Sequence, residues 1–290
     1  MSKVVLAAAQ FACGEDLRAN VAKAKTMVRE AAKKGANAVL LPELFETPYF
    51  CKDQLARNFS LAQPFEGNTL IGEFASLAKE LSVVLPLSFF EQANNAYFNS
   101  LAVIDADGNV LGRYRKSHIP DGPGYQEKFY FRPGDTGFRV WTTRAGRLGC
   151  AICWDQWFPE AARIMALNGA DVLFYPTAIG SEPPPAPPID SSGAWRRVMQ
   201  GHAAANCIPV VAANRIGVER GAAAETTFYG SSFIAGPGGE ILAELGRDEE
   251  GIITAALDFE EIASMRASWG LFRDRRPDLY GSLLTADGES

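Results

Sequence analysis

Residues 147–160 read RLGCAICWDQWFPE. The half RLGCAIC, small and apolar after its first residue, predicts a buried strand. The half FPE, continued by AARIMALNG, predicts a helix opened by proline in its first turn. A strand running directly into a helix is the repeating unit of an α/β layer. Two cysteines, Cys150 and Cys153, stand three apart in this unit. Spacing alone fits a metal or redox C-x-x-C as well as one nucleophile beside a core residue. Alternation places Leu148, Cys150 and Ile152 on one face of the strand. Gly149, Ala151 and Cys153 fall on the other, with Cys153 at the carboxyl end.

The same grammar extends outward. Upstream, KVVLAAAQ predicts a strand, and DLRANVAKAKTMVREAAKKG predicts a helix with Leu17, Val21, Ala24, Val28 and Ala31 at helical spacing, stopped by Gly35. NAVLLPE is a second strand. NTLIGEFASLAKEL is a helix capped by Asn68 or Thr69, followed by the strand SVVLPLSFFE. YFNSLAVID and NVLGRYRK flank the turn ADG as a hairpin. Downstream come the strand FRVWTT, the strand DVLFYP, the helix GAWRRVMQGHAAANC and the strand IPVVAANR. TFYGSSFIA, EILAEL and GIITAALD follow as strands before the helix FEEIASMRA. Continuously apolar strands alternating with helices predict sheets covered by helices, in one domain spanning 1–290. The segment 181–193, SEPPPAPPIDSSG, reads as a stiff loop inside that domain, and the tail of about 270–290 as a surface for subunit contacts.

Totals narrow the function. The chain has 290 residues, 47% hydrophobic and 21% charged, with net charge −6. An acidic chain without a basic stripe argues against nucleic acid as partner. No apolar run is long enough to span a membrane, and the N-terminus reads as a strand rather than a secretory leader. Five scattered cysteines, an odd number, fit a reduced, cytoplasmic protein better than a disulfide framework.

Three strand ends carry candidate chemistry. NAVLL ends in Pro42 and Glu43, with Leu44 and Phe45 beyond; a carboxylate there is costly unless paired or functional. Read alone, a Glu at a strand end is a helix-capping or surface residue. NVLGRYR ends in Lys116, which alone reads as a snorkelling edge residue. Cys153 is the third. Ligands in open α/β sheets bind outside the carboxyl ends of the strands, which would gather all three. Together they make a coherent nucleophile site. The thiol attacks, the carboxylate takes and returns its proton, and the ammonium and the Trp154 backbone N–H stabilise an oxyanion.

LLPELFETPYF, GRYRKSHIP and GCAICWDQWFPE resemble the three catalytic motifs of the nitrilase superfamily, the carbon–nitrogen hydrolases. That resemblance covers nearly the whole chain. It implies an α-β-β-α sandwich that dimerises into a four-layer αββααββα arrangement, with homodimers or higher homo-oligomers. It further implies Glu43 as general base and acid, Lys116 as oxyanion stabiliser, Cys153 as nucleophile and Glu127 as a supporting acid, leaving Cys150 in the core. One C-x-x-C supplies two ligands only, and the histidines number two, His118 and His202, so no metal or cofactor is expected. Within the superfamily, FETPYFC, KSHIPDGPGYQEKFYFRPGDTGF and WRRVMQGHAAAN resemble the amidases that hydrolyse N-carbamoylputrescine in polyamine synthesis.

A small cationic ureido substrate calls for an anionic or aromatic pocket end. Asp121, Tyr125, Asp155 and Glu182 are candidates, Glu182 foremost, with Tyr49 along the path and His118 as a pocket-wall residue. His202 reads as structural. A carbamoyl amino acid or β-ureidopropionate would instead need a cationic clamp, for which Arg132 and Arg196 or Arg197 are available. A catalytically silent binding protein of the same fold is the remaining alternative.

Overall fold

The computed structural model describes residues 3–181, 190–222 and 225–289. In chain order the elements are β1 (Val4–Gln10), α1 (Leu17–Lys33), β2 (Ala38–Leu40), α2 (Thr69–Leu81) and β3 (Leu85–Ala93). Then come β4 (Ala96–Ile104), β5 (Val110–Arg115), β6 (Val140–Thr143), β7 (Gly146–Cys150), α3 (Pro159–Leu167) and β8 (Val172–Pro176). The chain continues through α4 (Ser192–Asn206), β9 (Val210–Ala213), β10 (Val218–Arg220), β11 (Glu225–Thr227) and β12 (Phe233–Ala235). It closes with β13 (Ile241–Glu244), β14 (Gly251–Leu257) and α5 (Phe259–Trp269).

Two sheets face each other. One runs β14-β1-β2 and, through a parallel bridge between Ala38 and Val84, continues into β3-β4-β5. The other runs β13-β12-β9-β8-β7-β6, with β7, β8 and β9 parallel. The period-two alternation of the inner strands builds both sides at once. On β1, Leu6 and Ala8 join the core shared by the sheets, while Ala7 and Ala9 join a second core under α1 and α2. β4 divides likewise, Leu101 and Val103 inward, Ala102 and Ile104 toward the helices. On the far side α3 and α4 cover the second sheet, and a Cβ added to Gly149 would meet Met165 of α3. The order is helix, sheet, sheet, helix.

Local signals act where expected. Asn68 caps α2, accepting from the Ile71 N–H at 3.0 Å. The structure adds a cap to α1, where Asp16 accepts from the Ala19 N–H. The β4–β5 hairpin forms around its ADG turn. TFYGSSFIA does not form one strand. Gly230 and Ser231 take positive φ (53° and 54°), and the Asn214 and Ile179 segments claim the hydrogen-bonding groups that a ladder would use. β7 also stops early, at Cys150.

Candidate active site

Strand ends converge at one rim of the sandwich. Glu43 follows β2, Lys116 follows β5, Cys153 follows β7, and Thr177–Ala178 follow β8. Lys116 is fixed by its backbone on both sides: its N–H donates to Asn99 O at 2.8 Å, and its carbonyl accepts from Gly134 N–H at 2.8 Å. A Cβ on Gly134 would lie 2.1 Å from the Arg115 carbonyl, so that position tolerates only glycine.

The Lys116 ammonium bridges two carboxylates. Nζ donates to Glu43 Oε1 at 2.9 Å and to Glu127 Oε1 and Oε2 at 2.9 and 2.7 Å. All three side chains are buried. Asn99 Nδ2 donates to Glu43 Oε1 at 2.7 Å and reaches Glu127 Oε2 at 3.5 Å; the Tyr49 hydroxyl donates to Glu127 Oε1 at 2.7 Å. Burial works against the Lys116 charge, but Glu127 and Glu43 outweigh it and hold the amine well above its ordinary range. Burial also pushes the Glu127 carboxyl up, against the pull of Lys116.

Glu43 Oε2 is buried without a hydrogen-bond partner among the described residues. Cys153 stands close enough for its thiol to feel the Glu43 charge. Burial first, then the Glu43 charge, raises its thiol well above the normal range, while Lys116 and a hydrogen bond from the Ala178 backbone oppose the rise.

Turn geometry rather than strand alternation aims the sulfur, because β7 ends three residues before it. Cys153 opens a 3-10 turn, Cys153–Trp157, at φ 41°, and Leu44, next to Glu43, sits at φ 48°. Left-handed backbone at non-glycine residues costs about 1–3 kcal/mol each and collects at active sites. The Trp154 N–H lies among the first donors of that turn, which have no partner within it. Cys150 stays in the core between the sheets, its thiol raised by burial alone.

Beside Cys153 opens a cavity of about 230 Å³. Its walls include Asp121, Tyr125, Trp154, Gln156, Trp157 and Ala178. Among the described residues no Lys or Arg lines it. Asp121 is exposed at the mouth, and the Tyr125 hydroxyl accepts from the Gly180 N–H at 2.7 Å.

Three expected substrate contacts lie elsewhere. The Asp155 carboxylate, fully buried, accepts from the Tyr114 hydroxyl (2.7 Å), the His118 N–H (2.9 Å), His118 Nδ1 (2.7 Å) and the Ile152 N–H (3.0 Å). It staples the Cys153 turn to the end of β5 and has no capacity left for an ammonium. His118 lies flat on Phe158 at 3.6 Å and does not line the cavity. Tyr49 is buried behind Glu127 and acts on that carboxylate rather than along the substrate path. Glu182 lies outside the described residues. His202, as read, is structural: its Nε2 donates to Gln156 O at 2.7 Å.

Sequence reasoning missed Asn99, Trp157 and Arg215. An Asn inside the apolar strand YFNSLAVID was a signal, because a buried amide needs partners. Trp157 carried none, since aromatics near a helix start usually belong to the core.

The chain matches the family model described as carbon-nitrogen hydrolase over residues 5–267. It is 60% identical to an N-carbamoylputrescine amidase of Solanum tuberosum, across 99% of this chain and 97% of that one. Identity to a citrullinase of Francisella tularensis is 50%, across 98% and 99%. The crystal structure of a carbon-nitrogen hydrolase from Helicobacter pylori superposes with a TM-score of 0.90 at 41% identity, covering 98% of this chain and 99% of that one.

Proposed function

Because the chain belongs to the carbon–nitrogen hydrolase family, we propose that it hydrolyses N-carbamoylputrescine to putrescine, carbon dioxide and ammonia. The observation that carries the substrate is the cavity beside Cys153, which offers Asp121 and two tryptophans and, among the described residues, no cation. A terminal ammonium finds a carboxylate and aromatic faces there. A carboxylate finds no donor fork. Arg196 is paired with Glu244, and Arg132 and Arg197 are exposed and outside the cavity lining.

In this reading Glu43 takes the Cys153 proton as sulfur attacks the ureido carbonyl carbon. Lys116 and the Trp154 N–H stabilise the oxyanion. Glu43 returns the proton to the departing ammonia, leaving a carbamoyl thioester on Cys153. Water, deprotonated by Glu43, then displaces the sulfur, Glu43 passes that proton to the Cys153 sulfur, and the released N-carboxyamine loses carbon dioxide. Glu127 keeps Lys116 charged and in place, and removal of an oxyanion donor of the Lys116 kind costs about 10²–10³ in rate.

Citrulline is the second reading, favoured by the 50% identical citrullinase. It carries the same ureido group and chain with an added carboxylate, so the two differ at the pocket end alone. The test is ammonia release from N-carbamoylputrescine, citrulline and N-carbamoyl-β-alanine by wild type and Cys153→Ala. Fast release from the carbamoyl amine, lost in the variant, is the expected result; preference for either carboxylate substrate overturns the assignment.

We also place the enzyme in the cytoplasm as a homo-oligomer. All five cysteines are free thiols. Among the described residues no helix is long and apolar enough to cross a membrane. Ile164 and Leu167 of α3 and Leu283 and Leu284 of the tail are exposed around one groove, an apolar surface suited to a second copy.

A further inference from the structure

Arg215 is the largest charged side chain that the fold buries completely, and it touches no substrate cavity. It follows β9, two residues beyond the strand, and its guanidinium reaches under the loop after β2. Nη2 donates to the carbonyls of Glu43 at 2.7 Å and Leu44 at 2.9 Å. Nη1 donates to the Thr47 carbonyl at 3.3 Å and to Glu219 Oε1 at 2.7 Å. The other Glu219 oxygen accepts from the Tyr49 N–H at 2.6 Å and from Lys52 Nζ at 3.4 Å. One buried ion pair thus holds both ends of segment 43–49, which presents Glu43 at one end and Tyr49 at the other.

That segment needs holding. Leu44 sits at φ 48°, the left-handed region that non-glycine residues seldom occupy. Its further ties include the Leu44 N–H to Ser88 Oγ at 3.0 Å, the Glu43 N–H to the Thr177 carbonyl at 3.3 Å and Asn20 Nδ2 to the Glu46 carbonyl at 3.0 Å. Within the segment the Thr47 N–H and Oγ1 donate to the Leu44 carbonyl at 3.2 and 3.4 Å, so Arg215 joins a local turn to the end of β9. Asn214, the neighbour of Arg215, does the equivalent for the loop after β8: it accepts from the Ile179 N–H at 3.0 Å and donates to the Ile179 carbonyl at 2.9 Å. The end of β9 is therefore where the loops after β2 and β8 are tied to each other.

We propose that Arg215, backed by Glu219, is a positioning residue that sets the Glu43 carboxylate against Cys153 and the Tyr49 hydroxyl against Glu127. The proposal rests on the reading of Glu43 as the base. A fork of donors spanning successive carbonyls and a carboxylate is geometry that an arginine supplies and a lysine does not. Misplacing a catalytic group by about 1 Å costs on the order of 10²-fold in rate.

The test is Arg215→Lys, which keeps the charge opposite Glu219 and loses the fork. With active sites counted by labelled iodoacetamide on Cys153, kcat falls about 10²-fold while KM stays within about threefold. The alkylation rate of Cys153 at neutral pH falls at least tenfold as well, a readout that needs no substrate and so separates this proposal from the substrate assignment. Wild-type kcat per titrated site, an unchanged alkylation rate, or a loss confined to KM overturns the clamp. Glu219→Gln keeps the side-chain shape and weakens the hold on Arg215, and it serves if Arg215→Lys does not fold. About tenfold lower kcat at unchanged KM is expected for it, and wild-type kcat overturns the proposal.

Discussion

Replacing Lys116 by Met keeps most of the side chain's length and removes the ammonium shared by Glu43 and Glu127. Nζ makes contacts of 2.7–2.9 Å to both carboxylates, with all three groups buried. Breaking a buried pair by deleting one partner costs about 3–5 kcal/mol, because the other charge is left uncompensated. At about 2–4 °C per kcal/mol for a chain of this order of size, the melting temperature at pH 8 falls by about 6–20 °C. The cost depends on pH in a definite direction. Burial already holds the folded Glu127 carboxyl above its ordinary value, with Lys116 pulling it back down. Without Lys116 the folded value rises further. A carboxyl raised in the folded state favours folding while protonated and penalises it as pH climbs past the unfolded value. The deficit of Lys116→Met is therefore largest at about pH 8 and narrows toward about pH 5, where the variant takes up the proton that replaces the lost cation. Calorimetric melts of wild type and variant across that range measure it. Equal melting temperatures at pH 8, or a deficit that stays constant toward pH 5, would refute the claim that this ion cluster is held by Lys116.

Further outcomes follow from single contacts. Tyr49→Phe removes the donor at 2.7 Å from Glu127 and lowers kcat about tenfold with little change in KM, read by steady-state ammonia release. Asp155→Asn halves the acceptors that staple the Cys153 turn to β5. It destabilises by about 1–3 kcal/mol in denaturant melts and lowers kcat, whereas a substrate-contact role would raise KM at unchanged stability. Asp121→Asn raises KM for N-carbamoylputrescine about tenfold and leaves KM for neutral N-butylurea unaltered; equal shifts on both would remove Asp121 from ammonium recognition.

Local chemistry explains what the sequence announces and where it falls short. RLGC reads as strand because its small and apolar residues alternate between two buried faces, and it does form β7. The three residues that follow continue the strand composition, but the carboxylate of Asp155 captures the Ile152 N–H at 3.0 Å and turns the chain there. TFYGSSFIA has strand composition throughout and fails as one strand because Gly230 and Ser231 take positive φ and Asn214, 16 residues upstream, takes the Gly230 carbonyl. Asp155 and Glu182 looked alike as acids on loops. Burial and four donors turned Asp155 into a staple.

The sequence by itself determined most of the elements, the α2 cap, the layered class and the candidates Glu43, Lys116 and Cys153. These rest on periodicity and on residues standing at strand ends, which are properties of a few neighbouring positions. Only the tertiary structure decided that Lys116 meets Glu43 across 73 residues, that Asn99 joins Glu43 across 56, and that Arg215 grips the Glu43 carbonyl across 172. Those pairings depend on which strands are neighbours, in what register, and on how two sheets stack. No local pattern carries that information, because it is settled by the burial of both sheet faces at once.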